Sequence, residues 1–184
     1  MEPSLSDKTD GDLVILTLEN QENFVHIIDR YNRQLLAYIK RISGLGYEDA
    51  EDVLQEVFVK IYYNLNGFNT KLKFSSWVYR ITHNATMSEL RKRKVRPINY
   101  VETEDLVKIA DELDISKEIE HKDLQNEINN ILGKLDKKYR EVLVLKFLEE
   151  KDYNEISDIL KKPVGTVGTL INRAKKQFKK QYEK

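Results

Sequence analysis

The chain has 184 residues, with 31 basic and 31 acidic side chains and no cysteine, so disulfides and thiolate metal sites are excluded. Glycine and proline are scarce, at 7 and 3 copies, and the abundance of good helix formers predicts an all-α protein. No apolar run approaches the ~20 residues that a membrane span requires, and the polar, acidic start is not a secretory signal, so we expect a cytoplasmic protein.

The charges are segregated along the chain even though they sum to zero. Residues 71–96 and residues 161–184 each contain eight Lys or Arg and one acid, whereas residues 97–123 contain nine acids and three lysines. Two basic segments separated by an acidic one are typical of two separate nucleic-acid contacts. We therefore divide the chain into an N-terminal arm (1–20), a helical domain (21–96), an acidic linker (97–122) and a second helical domain (123–184).

The arm is predicted to be loose, although its apolar run from Leu13 to Leu18 could form a short helix. From Gln21 onward, apolar residues recur at spacings of three and four, which predicts a helix. That helix should end at residues 43–46, where two glycines favour a turn.

The next predicted helix runs from Glu48 to about Leu65 and has one apolar face. Its opposite face mixes acids with exposed apolar side chains: Asp49, Asp52, Gln55, Glu56, Val59 and Tyr63. Because a solvated face would carry charges alone, this mixture favours a surface for a protein partner. A solvated face with incidental apolar residues is one alternative. A carboxylate metal site is another, but it lacks a histidine and a second acidic cluster.

The basic helix 74–96 follows an Asn-rich loop and has two different faces. One face is an apolar stripe that should pack in a core, and Trp77 lies on it, with a nucleic-acid contact as the minor alternative. The other face carries Arg80, His83, Met87, Arg91 and Lys94. A helix that is packed on one side and basic on the other is suited to binding a polyanion. The loop beside it could hold an unstacked base, whereas a merely solvated charged face is the alternative.

The second domain begins after Pro97 and the acidic linker, and it ends in a short helix and a last, longer helix joined by a tight turn. Asp152 and Glu155 have the spacing of a capping box, Lys161 and Lys162 form the turn, and Pro163 suits the start of the last helix, which should reach about Tyr182. This order is the helix-turn-helix pattern of DNA-binding proteins.

Small, hydroxyl and basic side chains lie on the outward face of the last helix: Gly165, Thr166, Thr169, Asn172, Arg173 and Lys176. They are suited to the major groove and its phosphates. Two glycines early in a helix cost about 1 kcal/mol each relative to alanine, which is easier to understand if the backbone must approach a ligand closely. An ordinary helical hairpin with a solvated basic tail is the alternative.

An enzyme is not expected. The three histidines are far apart in the sequence, and there is no nucleophile–base pair, phosphate-binding glycine loop or metal-ligand spacing. The sequence therefore predicts no catalytic residue, no metal and no cofactor.

Four segments together resemble the σ70 family of bacterial RNA polymerase sigma factors, in its short extracytoplasmic-function (ECF) type. They are DAEDVLQEVF (49–58), FSSWVYRITHN (74–84), YREVL (139–143), and YNEI (153–156) followed by PVGTV (163–167). The resemblance covers about residues 24–96 and 123–178. It implies two small helical domains that dock on core RNA polymerase and read a promoter.

The resemblance also implies a role for each face. The acidic face 49–63 would dock on the clamp coiled coil of the largest polymerase subunit, and the C-terminal domain would contact the polymerase flap. The promoter −10 element would be read and melted by Asn66, Asn69, Lys73, Arg80, His83, Asn84, Met87, Arg91 and Lys94. The outward face of the last helix would read the −35 element, and the linker would run toward the RNA path. An anti-sigma factor is a further expected partner.

One departure from the family concerns the last helix. Many relatives have a basic–hydroxyl–basic run where this chain has Gly168, Thr169 and Leu170. Because two cations near phosphate are then missing, we expect weak −35 binding by the C-terminal domain alone. The alternative function is a stand-alone helix-turn-helix regulator, but its dimer face should be more apolar than the acidic face 49–63.

Overall fold

The computed structural model describes residues 8–93, 109 and 121–183, and this part of the chain is helical without a strand. The predicted linker lies outside the described residues except for Ile109, which is fully buried, and positions 121 and 122. The helices are α1 (Asp10–Glu19), α2 (Phe24–Ser43), α3 (Tyr47–Asn64), α4 (Phe74–Lys92), α5 (His121–Lys134), α6 (Lys137–Leu143), α7 (Tyr153–Leu160) and α8 (Val164–Tyr182).

Helix α1 occupies much of the segment that was expected to be a loose arm. Thr9 begins it with a capping box, in which its side chain accepts a hydrogen bond from the Asp12 amide and Asp12 accepts one from the Thr9 amide. The Asp10 carboxylate binds Arg30 at 2.9 Å and the Tyr31 hydroxyl at 2.6 Å. The capped helix therefore packs on α2 and completes the N-terminal bundle.

The core of the N-terminal domain lies between α2, α3 and α4. Helix α2 ends at Gly44, whose φ of 69° is readily adopted only by glycine. The apolar face of α3 is buried, as its periodicity predicts. Trp77 of α4 is 8% exposed, so its core position is confirmed.

The C-terminal domain is built from α5 to α8. The predicted capping box at α7 is present, with Asp152 and Glu155 bonded reciprocally. The turn after α7 has Lys161 in a left-handed conformation, with φ 53°. Pro163 is the residue before α8 rather than its first residue.

Arg140 joins α5 to α6 from inside this domain. Its buried guanidinium donates to the carbonyl oxygens of Leu132, Gly133 and Leu135 at 2.7, 2.9 and 3.1 Å. The last carbonyl groups of a helix have no partners within that helix, so Arg140 supplies donors to two of those of α5 and to the carbonyl of the residue that follows it.

Helix α6 continues directly as a π-helical turn, Val144–Leu148. The wider turn is closed by a hydrogen bond from the Glu149 amide to the Val144 carbonyl, 3.0 Å long. It directs the Glu149 side chain toward the N-terminal domain. π-Helical turns of this kind are often found at functional positions.

The two domains pack directly on each other. Helix α4 lies against α7, the first helix of the helix-turn-helix, and α2 touches both α6 and the π-helical turn. This contact determines which of the predicted functional faces are open to solvent.

Candidate nucleic-acid and protein interfaces

The acidic face of α3, comprising Asp49, Asp52, Gln55, Glu56, Val59 and Tyr63, lies at the protein surface. Asp52 and Gln55 are exposed, and Asp49 and Glu56 are half-buried. Val59 is 54% and Tyr63 77% exposed. Large apolar side chains so exposed within a rim of acids favour a partner surface that is apolar at its centre and basic at its edge.

Two acids of this face already have cationic neighbours. Arg93, just after α4, binds Asp49 at 2.6 Å, and Lys60 binds Glu56 at 2.6 Å within α3. The hydrogen bond to Asp49 is the main reason that the pKa of the Arg93 guanidinium is raised above its usual value. Asp52 therefore offers the more accessible carboxylate to a basic partner.

The outward face of α8 is open along its whole length. All six predicted residues, Gly165, Thr166, Thr169, Asn172, Arg173 and Lys176, are exposed. Opposite them, Val167, Ile171, Ala174 and Phe178 are buried and attach the helix to its domain. This arrangement leaves the second helix of the helix-turn-helix free to enter a groove.

Gly168 has a structural neighbour of its own. A β-carbon at this position would lie 3.6 Å from the Tyr153 ring, an ordinary van der Waals distance. Gly168 and Leu170 are both half-buried. These two positions thus face the domain more than Thr169 does.

The predicted −10 residues divide into two groups. Asn66, Asn69, Lys73, Asn84 and Arg91 are exposed, and Arg80 is half-buried. His83 and Met87 are only 9% and 8% exposed, so they do not lie on an open basic face as the helical spacing suggested. Lys94 lies outside the described residues.

Aromatic packing attaches the Asn-rich loop to α4. The Phe68 ring lies 5.2 Å from the Phe74 ring and 5.2 Å from the Trp77 ring, measured between centroids. Within the loop, Asn69 accepts a hydrogen bond from the Lys71 amide. The loop is therefore held beside the N-terminal end of α4, where its polar side chains remain exposed.

His83 is buried because the C-terminal domain covers it. The Tyr38 hydroxyl lies 3.1 Å from its Nδ1, and Glu141 of α6 lies 3.9 Å from its Nε2. Burial, followed by the positive charges of Lys137 and Lys162, lowers the pKa of His83 from its usual 6.5 to about 4. The ring is thus neutral at physiological pH and cannot act as a cation toward DNA in this arrangement.

Ion pairs between the domains use residues for which the sequence predicted other roles, together with Asp158, which no sequence pattern indicated. Lys73 binds Asp152 at 3.3 Å and Glu155 at 3.5 Å, and Arg80 binds Asp158 at 2.7 Å. The capping-box pattern identified Asp152 and Glu155 only as the start of a helix. Nothing in the local sequence indicates that the same acids pair with α4.

The most buried of these contacts is centred on Glu149. Its two carboxylate oxygens bind Arg41 at 2.7 Å and the Tyr79 hydroxyl at 2.6 Å. The side chains of Arg41 and Glu149 are each 5% exposed. Lys151 also lies over the Tyr79 ring, 4.3 Å from its centroid. Burial, then the Glu149 charge, raises the pKa of Tyr79, which stays protonated and donates its hydrogen bond.

The described residues contain no group of three or more His, Cys, Asp or Glu placed to hold a metal ion. None of the helices in the described ranges is long and apolar enough to cross a membrane. The polar clusters among the described residues are ion pairs and exposed polar faces.

Comparison with known proteins identifies both domains. The family model "Sigma-70 region 2" matches residues 27–96, and "Sigma-70, region 4" matches residues 125–178. The ECF RNA polymerase sigma factor SigW of Bacillus subtilis is 37% identical over 171 residues, which cover 88% of this chain and 90% of SigW. The chain belongs to the ECF type of the σ70 family of sigma factors.

Other sigma factors resemble this one more distantly. The ECF RNA polymerase sigma-E factor of Escherichia coli K12 is 30% identical over 164 residues, which cover 85% of this chain and 84% of the E. coli protein. Among solved structures, CnrH in complex with the cytosolic domain of CnrY has a TM-score of 0.70 at 24% identity, over 95% of this chain and 97% of CnrH. RpoE in complex with the anti-sigma factor NepR from Bartonella quintana has a TM-score of 0.69 at 19% identity, over 88% of this chain and 98% of RpoE.

This ECF sigma factor thus directs promoter-specific initiation by RNA polymerase. The two solved structures share its helical fold. The match of both domains to sigma regions sets aside the alternative of a stand-alone regulator.

Proposed function

We propose that this sigma factor docks on the clamp coiled coil of the largest polymerase subunit through the acidic face of α3. The observation that carries this assignment is the exposure of Val59 and Tyr63 beside Asp52, since an apolar centre with an acidic rim complements a basic helical partner. The exposed face of α8 would read the −35 element, with the flap as the polymerase contact of this domain. The loop 66–73 and α4 would hold the melted −10 strand.

Binding energy would drive strand opening without any chemistry by the protein. Flipping a base out of a duplex costs a few kcal/mol, and each base stacked on an aromatic side chain returns about 1–3 kcal/mol. Arg80 and Arg91 would add phosphate contacts. Their replacement by alanine is therefore expected to weaken strand opening more than docking on the core enzyme.

An anti-sigma factor is a second proposed partner. The complex of RpoE with the anti-sigma factor NepR supports this proposal, because that sigma factor has the same fold. The faces of α3 and α8 are both open in the free chain and would be available to such a partner.

Reversal of charge on α3 tests the docking proposal. The double variant Asp52→Arg with Glu56→Arg should lose co-purification with core polymerase and should give little run-off transcription, because two cations would then face a basic surface. Glu19→Arg with Glu22→Arg, on an exposed surface around the end of α1, makes the same charge change elsewhere and should preserve both activities. Normal initiation by the α3 variant would show that this face does not dock on polymerase.

A further inference from the structure

Three acids at the start of α7 and along it meet three polar side chains at the start of α4 and along it. Asp152, Glu155 and Asp158 are spaced three residues apart and share one side of α7. They meet Lys73, Ser76 and Arg80. Lys73 and Arg80 form the ion pairs described above, and the Ser76 hydroxyl donates to Glu155 at 3.4 Å. The result is a ladder of carboxylates along the basic side of α4.

The cations that bind these carboxylates, Lys73 and Arg80, are among the residues proposed to contact the −10 strand. Carboxylate and phosphate are both oxyanions that Lys and Arg bind with charge-assisted hydrogen bonds. We propose that α7 is an internal mimic of the DNA backbone, which occupies the strand-binding side of α4 in the free sigma factor. This inference rests on the proposed −10 role of α4 and assigns to α7 a contact beyond its place in the helix-turn-helix.

The contact around Glu149 anchors the ladder. Arg41 and Tyr79 hold both oxygens of its buried carboxylate, while His83 is buried nearby and faces Glu141 of α6. A DNA strand that touched His83 would have to displace the C-terminal domain. Packing of the C-terminal domain on α4 therefore blocks part of the proposed −10 surface sterically and also neutralises part of its charge.

The contact between the two domains also has features that lower its stability. Asp158 Oδ2 and Glu141 Oε1 are buried without a hydrogen-bond partner among the described residues, and such oxygens lower the stability of an interface. Lys73 and Asp152 are 64% and 53% exposed, so their pair adds little. Docking of the two domains on separate polymerase sites would then be sufficient to separate them.

The face of α8 remains exposed while part of the proposed strand-binding face of α4 is covered. The closed sigma factor is thus expected to retain its contact with duplex −35 DNA and to bind single strands poorly. This asymmetry means that strand binding, rather than all DNA binding, is suppressed before polymerase is engaged.

Fluorescence transfer in the full chain tests the contact. Because the chain has no cysteine, dyes can be attached at Glu19→Cys and Lys180→Cys, both on exposed positions. Asp158→Asn removes the Arg80 pair and Glu149→Gln weakens the buried one, so each should lower transfer between the domains. Glu183→Gln makes the same charge change at an exposed position after α8 and should leave transfer unchanged. The swap Arg80→Asp with Asp158→Arg should restore transfer that Asp158→Arg alone abolishes.

Single-strand binding is measured on the same variants, with an oligonucleotide of randomised sequence as the probe. Asp158→Asn and Glu149→Gln should bind it about tenfold more tightly than the Glu183→Gln control, because a competing charged contact is gone. Unchanged transfer in both variants would overturn the closed contact. Lowered transfer with no gain in affinity for the single strand would instead overturn the strand-binding role of α4 and the proposed mimicry. The contact between the domains would still be supported by that result. Helix content by circular dichroism verifies that each variant is folded.

Discussion

At the scale of single residues, buried polar groups carry roles that their sequence neighbours do not reveal. Arg140 belongs to a family segment, YREVL, and the structure gives a physical reason for its presence: it caps the C-terminal end of α5. Glu141 beside it faces His83 of the other domain. Burial raises the pKa of Glu141, whereas it lowers the pKa of His83. Of these two adjacent residues of α6, Arg140 thus stabilises the interior of its own domain and Glu141 lies at the contact between the two domains.

The buried His83 should make stability depend on pH. Above the unfolded pKa of 6.5 the ring is neutral in both states, and as pH falls toward about 4 the unfolded chain takes up the proton first. Unfolding is therefore favoured progressively between these values. Between about pH 7 and about pH 5 the wild type should lose about 2 kcal/mol more than His83→Gln, as measured by denaturant unfolding.

The comparison with His83→Gln makes this pH prediction specific. The elevated pKa of Glu141 has the opposite effect on stability, but it is present in both proteins and largely cancels. Equal losses in the wild type and in His83→Gln would contradict the assignment of the proton to His83.

At the scale of elements, one side of α8 is buried in its domain, whereas the outward side carries residues of low helix propensity such as Gly165 and Thr166. Gly165 is exposed, and a β-carbon placed there would touch nothing within 4 Å. The glycine is therefore not required by the fold of the free chain. Close approach to a DNA backbone is a reason for its presence that agrees with the exposed face.

Replacement of Gly165 by alanine separates stability from binding. The variant should be more stable by about 0.5–1 kcal/mol because alanine is the better helix former. Its affinity for −35 duplex in the polymerase holoenzyme should nonetheless fall, since the added methyl group would lie between the helix and the phosphates. Thermal unfolding and promoter binding by electrophoretic shift provide the two measurements.

The matched control is Gly133→Ala, at a helical position of α5 with equally open surroundings. It should gain stability without any change in promoter binding. If Gly165→Ala binds the −35 element as tightly as the wild type, the close-approach explanation of this glycine is wrong.

At the scale of the whole molecule, two faces are open and one is covered. The acidic face of α3 and the outward face of α8 are exposed, whereas α7 lies on α4. The contact joins residues far apart in the chain, such as Lys73 with Asp152, 79 positions apart, and Arg41 with Glu149, 108 positions apart. The domains of the free sigma factor are consequently held in one arrangement by polar contacts of very different exposure.

This difference in exposure predicts the response to salt. Raising NaCl from ~0.05 M to ~0.5 M screens exposed pairs such as Lys73–Asp152 but screens the buried Arg41–Glu149 pair much less. Transfer in the labelled wild type should therefore change little, whereas in Glu149→Gln it should fall steeply with salt. A steep fall in the wild type would mean that the exposed pairs, rather than the Glu149 contact, hold the domains together.

The sequence by itself determined the elements and the faces they present. Helical periodicity, the Gly44 turn and the Asp152–Glu155 capping box depend on neighbours within a few residues, so helix positions and the open faces of α3 and α8 could be predicted. Tertiary structure alone decided that α1 packs on α2, that His83 and Met87 are buried, and that Glu149 and Asp158 bind Arg41 and Arg80. These outcomes depend on which surfaces meet across the chain. Local spacing carries no information about such contacts, because a basic helix face has the same pattern whether its partner is DNA or an acidic helix of the same molecule.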